Sequence, residues 1–371
     1  MKTNFVKLRW LFTMLLFVTT MIMPTMMLAK SIDLKIPEGD GAGTPYKIGT
    51  AEELYWFAGL VNGTLPGVKK DLSANAILTD DIIVNTGVLD PNKDLVSGND
   101  FIEWIPIGKS SSDDDAYTGT FDGNGHTISG LYFNKSNSWY VGLFGCIGAE
   151  GKISNVGVSD SYFQSSNCPY IGGVCGSNSG ELQNCSNSST VIGKENEYRI
   201  GGVCGDNSGT IKSCYNTASV SGQYSVGGVS GSFGSDVTNC YYLSGTVADG
   251  KSGIGGKDDE NGKAVEMSKD RFKSGEVAWL LNGSKSVSTE ESTLAWYQKL
   301  DENADAYPVL KSTDHNTVYK APLFSCDGTT RIGEYANKPE GDKLSHNYQM
   351  AEKADEGTSN LYSEECAICH N

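Results

Sequence analysis

The sequence predicts an all-β chain folded as a parallel β-solenoid of three-strand coils, with short α-helical caps at both ends. Two observations carry that expectation. Self-comparison at offsets of 26 to 30 residues aligns four tandem segments: Tyr140 to Ser154, Tyr170 to Gln183, Arg199 to Lys212 and Ser225 to Thr238. Within and just after them apolar residues recur in columns: Val141, Ile171, Ile200, Val226; Phe144, Val174, Val203, Val229; Ile153, Leu182, Ile211, Val237; and Val158, Val191, Val220, Val247. Each copy holds three short β-prone stretches separated by Gly, Ser and Asn, without the 3.6-residue spacing of a helix. One copy cannot bury a core alone, whereas stacked copies set like residues above like at about 4.8 Å and make each apolar column continuous core. The polar column Asn155, Asn184, Ser213 and Asn239 predicts a hydrogen-bonded ladder. A sandwich with similar strands would not need this column-wise identity.

Taken in order, the elements divide the chain into five parts. Lys2, Lys7 and Arg9 precede an apolar run from Trp10 to Leu28 that ends at Ala29, which reads as a signal peptide over residues 1–30. Residues 31–75 form a linker and a cap helix, because Thr50 with Glu53 makes a capping box and Leu54, Phe57, Ala58 and Val61 mark an apolar stripe before Gly63. The solenoid occupies 76–249. Its coils are irregular up to Leu131, where Asp122-Gly123 and Asn124-Gly125 are turn pairs, and regular from about 140. Residues 250–320 hold a Gly, Lys and Asp loop and a second cap helix from Ser268 through Leu281, stopped by Gly283. The tail, 321–371, carries cysteines and histidines without apolar periodicity.

Composition narrows the partners. The chain has 371 residues, 45 acids against 29 bases and a net charge of −16, which repels phosphate backbones and anionic membranes. Nucleic acid is therefore excluded as a partner, no segment after the signal run could span a bilayer, and a monomer is expected. The 45 glycines come with only 10 prolines, the pattern of many tight turns rather than of collagen.

The segments VGLFG at Val141, IGGVCG at Ile171 and Ile200, and VGGVSG at Val226, with GTIKSCYNTASVSG after one of them, resemble the GLUG repeats of bacterial secreted and surface proteins. Upstream, IGTAEELYWFAGLVNG, WIPIG and GTFDGNGHTISGLYF resemble the stretch that precedes such repeats, and FKSGEVAWLLNG with AWYQKLDENADAYPVL extends the resemblance to roughly Leu310. The resemblance implies a right-handed β-solenoid on an exported protein; some relatives carry an attached protease domain. It implies no activity for the repeats themselves.

No catalytic constellation stands out. Glu150, Asp160, Glu181, Glu195, Glu197, Asp206 and Asp236 mostly occupy different columns, His126 is the only histidine before position 315, and H-E-x-x-H and G-x-S-x-G are absent. The expectation is a chain without catalysis of its own, offering an elongated surface for adhesion to a glycan or a host or surface protein, or acting as a spacer. Tyr162, Tyr198, Tyr215, Tyr224, Tyr241 and Tyr242 are candidates to stack on sugars, with Tyr198, Tyr215, Tyr224 and Tyr241 foremost. The competing reading is a carbohydrate-active enzyme with a groove near Asp113 to His126, where Asp122 would be essential. Asp113 to Asp115 and Asp301, Asn303 and Asp305 read as surface acids rather than calcium ligands, since the second string lacks Gly at its sixth place and Glu at its twelfth.

Cys175 over Cys204, and Cys185, Cys214 and Cys240, form two columns within disulfide reach of one another. Reduced thiols acting as small buried fillers are the favoured reading. In the tail Cys326, His346, Cys366 and Cys369 have the ligand types of a tetrahedral zinc site but no compact first pair. Cys366-Ala-Ile-Cys369-His370 also matches a haem-attachment string, but few helices are expected to wrap a haem, and a disulfide-bonded or partly disordered appendage is the favoured reading.

Overall fold

The structure is a computed structural model. It describes residues 32–98, 100–110, 112, 114–167, 170–194, 198–232, 236–248, 250–255, 263–285, 294–301, 303–311, 313–326, 328, 331–344, 348–352 and 362–366, the last two segments as backbone only. The expected signal segment lies outside the described residues.

The chain from Ile32 onward is one compact unit built on three parallel sheets. A coil runs from the third sheet to the first and then the second, for example Cys175–Asn178, Glu181–Gln183 and Ser186–Gly193. The first sheet stacks seven strands: Tyr46–Ile48, Ala76–Leu78, Thr120–Asp122, Lys152–Ser154, Glu181–Gln183, Thr210–Lys212 and Asp236–Thr238. Their central residues pair in register as Phe121, Ile153, Leu182, Ile211 and Val237, each at most 1% exposed. The predicted apolar column is therefore real core, and Val174 and Val203 lie on adjacent coils, joined by the backbone bond Val174 N to Val203 O at 3.0 Å.

Two predicted columns need correction. Phe144 stands against Cys175 rather than Val174, because the first copy reaches the strand one residue sooner than the others. Val158 faces Asn187 and Ile128, while Phe163 takes the place above Val191. The cause is a register shift between Ser159 and Tyr162, where Asp160 adopts φ 45°. A bulge inserts residues without changing the sequence pattern, so counting from the repeat start loses the register beyond it.

The polar column forms as two bonded runs, Asp122 to Asn184 and Ser213 to Asn239. Asn124, Asn155, Asn184, Ser213 and Asn239 all take φ between 50° and 56°, a left-handed turn that asparagine tolerates better than most residues. Asn155 Nδ2 donates to Asp122 Oδ1, Asn184 Nδ2 to Asn155 Oδ1 and Asn239 Nδ2 to Ser213 Oγ, each at 3.0 Å.

Helix α1 (Ala51–Asn62) begins as read, with Thr50 Oγ1 accepting from Glu53 N, and ends on Gly63 at φ 65°. The Glu53 carboxylate reaches back to the backbone of Thr50 and to Gly49 N, the latter at 2.9 Å, and pairs with Lys35. The helix is buried on all sides from Glu53 to Asn62, not along one stripe. Tyr46 and Phe121 of the first sheet pack against Phe57 on one side, and Trp104 meets Tyr55 edge-on at 5.1 Å on another.

The second predicted helix is broken. Helix α2 (Lys269–Lys273) and helix α3 (Glu276–Leu281) are separated at Gly275, whose φ of 87° no helix can contain. Phe272, Val277 and Leu281 pack with Met267, Trp296, Tyr215 and Tyr241, on the outward face of the second sheet. The described residues 294–301, 303–311 and 313–318 run back along that sheet as a strap. Trp296 Nε1 donates to Ser213 O, Tyr215 Oη to Pro308 O at 2.7 Å, and Lys311 Nζ pairs with Asp81 Oδ2 at 2.6 Å.

Cys146, Cys175, Cys185, Cys204, Cys214 and Cys240 are buried thiols outside any disulfide. They are more than fillers. Cys185, Cys214 and Cys240 each donate to the carbonyl two residues earlier at 3.3 Å. Cys175 and Cys204 donate to the carbonyl two residues later, and Ser230, next in that column, makes the same bond through its hydroxyl. Burial holds the Cys146, Cys175, Cys214 and Cys240 thiols well above their ordinary pKa. Since the thiolate is the reactive form, these thiols should react with a thiol reagent at pH 8 far more slowly in native than in denatured protein. Equal rates, or no thiols on denaturation, would contradict this packing.

The tail carries more strand than its sequence suggests: Leu323–Phe324, Arg331–Gly333 and Asp342–Lys343 form one small sheet, and Tyr348–Glu352 pairs antiparallel with Tyr362–Cys366. Cys326 is buried at 2% exposure. His346 and Cys369 lie outside the described residues, as do the side chain of Cys366 and the rest of the string that matches haem attachment.

Candidate functional site: an aromatic edge

Register decides which tyrosines are surface. Tyr140, Tyr170, Arg199 and Ser225 pair across four coils at the start of the third sheet. The residues just before three of them, Trp139, Tyr198 and Tyr224, therefore share one edge. They are 64%, 61% and 52% exposed, the only exposed large aromatics among the described residues.

The edge is ordered by stacking along the coil axis. Tyr198 and Tyr224 stack with ring centroids 5.9 Å apart and planes 17° from parallel. Beside them Tyr140 stacks on Tyr170 at 5.3 Å, and the Arg199 guanidinium continues that stack 5.7 Å from the Tyr170 centroid. Asp206 Oδ1 accepts from Arg199 Nη1, which fixes the guanidinium in the stack. Lys251 Nζ donates to Tyr224 O at 2.8 Å. The exposed rings of Tyr198 and Tyr224 present their edges at the surface, and Trp139 adds a broad apolar surface. Such an arrangement offers hydroxyl-rich or amphipathic ligands both apolar contact and hydrogen bonds.

Tyr198 and Tyr224 thus lie where the ligand-stacking expectation needs them. Tyr215 and Tyr241 do not. Each is 7% exposed and packed under α2, α3 and the strap; Tyr215 meets Trp296 at 5.1 Å and Phe272 at 5.7 Å. Tyr162 and Tyr242 are likewise buried, at 6% and 4%. Sequence could not single out Tyr215, because Trp296, which covers it, lies 81 residues further along the chain, while Tyr242 turns into the solenoid core itself. Trp139, Tyr140, Tyr170 and Arg199 escaped the sequence reading, although their place at the start of successive copies marked them.

The groove proposed near Asp113 to His126 is differently organised. Asp113 lies outside the described residues. Asp122 Oδ1 accepts from Asn124 N and Asn155 Nδ2, so its carboxylate serves the turn and the ladder. His126 Nδ1 stands 3.4 Å from Asp81 Oδ1. Burial alone would raise the Asp81 carboxyl, but the hydrogen bond from Lys311, the Thr127 amide and the charges of Lys311 and His126 outweigh it and hold it below the usual carboxylate range. Asp115 pairs with Lys70, and Asp305 Oδ2 accepts from Lys299 N at 2.7 Å.

Fold and edge together define a parallel β-solenoid with an ordered aromatic stripe. No family model matches the chain. A stretch of 84 residues is 38% identical to Halomucin of Haloquadratum walsbyi, covering 23% of this chain and 1% of that protein. Another comparison, 33% identical over 78 residues, is with a "Putative Gly-rich membrane protein" of Evansella cellulosilytica, covering 21% of this chain and 9% of the relative. The chain thus spans a small part of both. These likenesses are compatible with a surface β-solenoid protein. Among solved structures, a chain titled a "putative immunoglobulin A1 protease" from Bacteroides ovatus is 17% identical, with a TM-score of 0.36, over 74% of this chain and 98% of that one. That title corrects the expectation of a chain without catalysis; at this TM-score the likeness transfers neither an activity nor a residue role. No helix among the described residues is long and apolar enough to cross a membrane.

Proposed function

We propose that the chain is an exported surface repeat protein of the GLUG type that engages a glycan, or a host or surface protein, through its aromatic edge. The observation that carries this reading is the clustering of the exposed Trp139, Tyr198 and Tyr224 on one edge of a stacked scaffold. The signal-like amino terminus and the similarity to Halomucin and to a Gly-rich membrane protein support an exported location. Exposed aromatic surface in soluble proteins marks interaction sites more often than chance.

The test is an array of glycans and matrix proteins probed with the wild-type chain and with Tyr198→Ala/Tyr224→Ala. A specific hit should weaken at least about tenfold in the double variant, or roughly 1.4 kcal/mol. Melting should hardly change, because both side chains are more than half exposed. An array without a hit would reduce the role to that of a spacer.

A further inference from the structure

The strap creates a second recess, at a different corner of the coil. The Asn ladder marks the corner between the first and second sheets, whereas the aromatic edge precedes the third. Between ladder and strap lies a groove of about 590 Å³, lined on the solenoid side by Asn124, His126, Asn155 and Asn184 and on the strap side by Tyr297 and Lys311. A narrower cavity of about 230 Å³ adjoins it, with Leu310 and Lys311 as common wall.

Three features specify what such a groove would take. Carboxamides recur on three successive coils, Asn124, Asn155 and Asn184, about 4.8 Å apart, close to the length of one sugar residue in an extended chain. The ladder does not exhaust the carboxamides: Asn155 gives one amide hydrogen to Asp122 and accepts one bond from Asn184, which leaves a second hydrogen and a second lone pair, and His126 and Tyr297 add ring surface. The groove's cation is already neutralised, since Lys311 Nζ lies 2.6 Å from Asp81 Oδ2. An anionic ligand would have to compete with that carboxylate; a neutral polyhydroxylated one would not.

We propose that this groove binds a neutral oligosaccharide of about two or three residues, a size its volume accommodates. The site does not depend on the aromatic edge. Saturation-transfer NMR on the full chain with cellobiose, maltose, lactose, chitobiose and a uronic-acid disaccharide tests it. At least one neutral disaccharide should bind, and its affinity should fall at least about tenfold in Asn184→Gly, which keeps the left-handed turn while removing the amide. Tyr297→Ala should do the same. Thr313→Trp, an exposed strap position at the groove, should block the site without deleting an internal contact. Tyr198→Ala/Tyr224→Ala should leave this binding intact, which separates the groove from the edge. Absence of binding by every neutral disaccharide, preference for the uronic-acid one, or unchanged affinity in Thr313→Trp would overturn the proposal.

Discussion

Gly202→Ala is expected to destabilise the solenoid by about 3 kcal/mol or more. A Cβ there would stand 2.2 Å from Gly228 O and 2.3 Å from Asn216 Cγ. Asn216 cannot step aside. Fully buried, it donates to Ala218 O, accepts from Ala218 N, and accepts at 2.9 Å from Asn187 Nδ2 on the preceding coil. Asn187 makes the same closed turn around Ser189, and the Cβ of a residue at Gly173 would strike it at 2.2 Å. Moving either amide therefore breaks bonds on two coils at once. The check is urea unfolding, read as a lower midpoint with unchanged slope. Ser230→Cys is the control: it puts a thiol where Cys175 and Cys204 already form the same bond, so its cost should stay below about 1 kcal/mol. If Gly202→Ala unfolds at the wild-type midpoint, the buried amides are not what excludes a side chain there.

Stability should also fall steeply in alkali. The Cys146, Cys175, Cys214 and Cys240 thiols are raised by burial, as are the phenols of Tyr55, Tyr117 and Tyr215, and burial pushes Tyr241 up to about 12. Each group holds its proton more tightly folded than unfolded. Its contribution is therefore complete below the unfolded pKa, near 9 for the thiols, and is lost as pH rises from there toward the folded value. One such group costs about 1.4 kcal/mol per pH unit in that window, so the four thiols together cost roughly 5 kcal/mol per unit. Urea midpoints at pH 8, 9 and 10 should show a plateau and then a sharp decline, and Cys214→Ala should shallow the decline. A midpoint constant from pH 8 to 10.5 would mean that these thiols are not buried in the folded chain.

Much of the architecture was legible because repetition exposes it. Ile153, Leu182, Ile211 and Val237 could be recognised as a core row from spacing alone, whereas Phe121, from the irregular early coils, joins it only in the structure, and the Asn155 and Asn184 ladder followed from stacking like on like. Thr50 and Gly63 set the limits of α1 through local chemistry. The buried amides Asn187 and Asn216, also 29 residues apart, carried the same signal, but a polar residue in a β-prone stretch reads as surface until the turn that satisfies it is seen. The candidate site was half visible. Tyr198 and Tyr224 were recognised; Trp139 and the Tyr140, Tyr170 and Arg199 stack were not.

What the sequence determined by itself was the coil, because each copy's apolar and Asn positions are fixed by contacts one repeat away. What only the tertiary structure decided was which outward residues stay outward. Tyr215 and Tyr241 vanish beneath α2, α3 and Trp296, while Lys311 returns 230 positions along the chain to Asp81 and makes a groove of an otherwise open corner. A docking between segments that share no period leaves no mark in the repeat, since its energy comes from surfaces that the spacing of the copies does not specify.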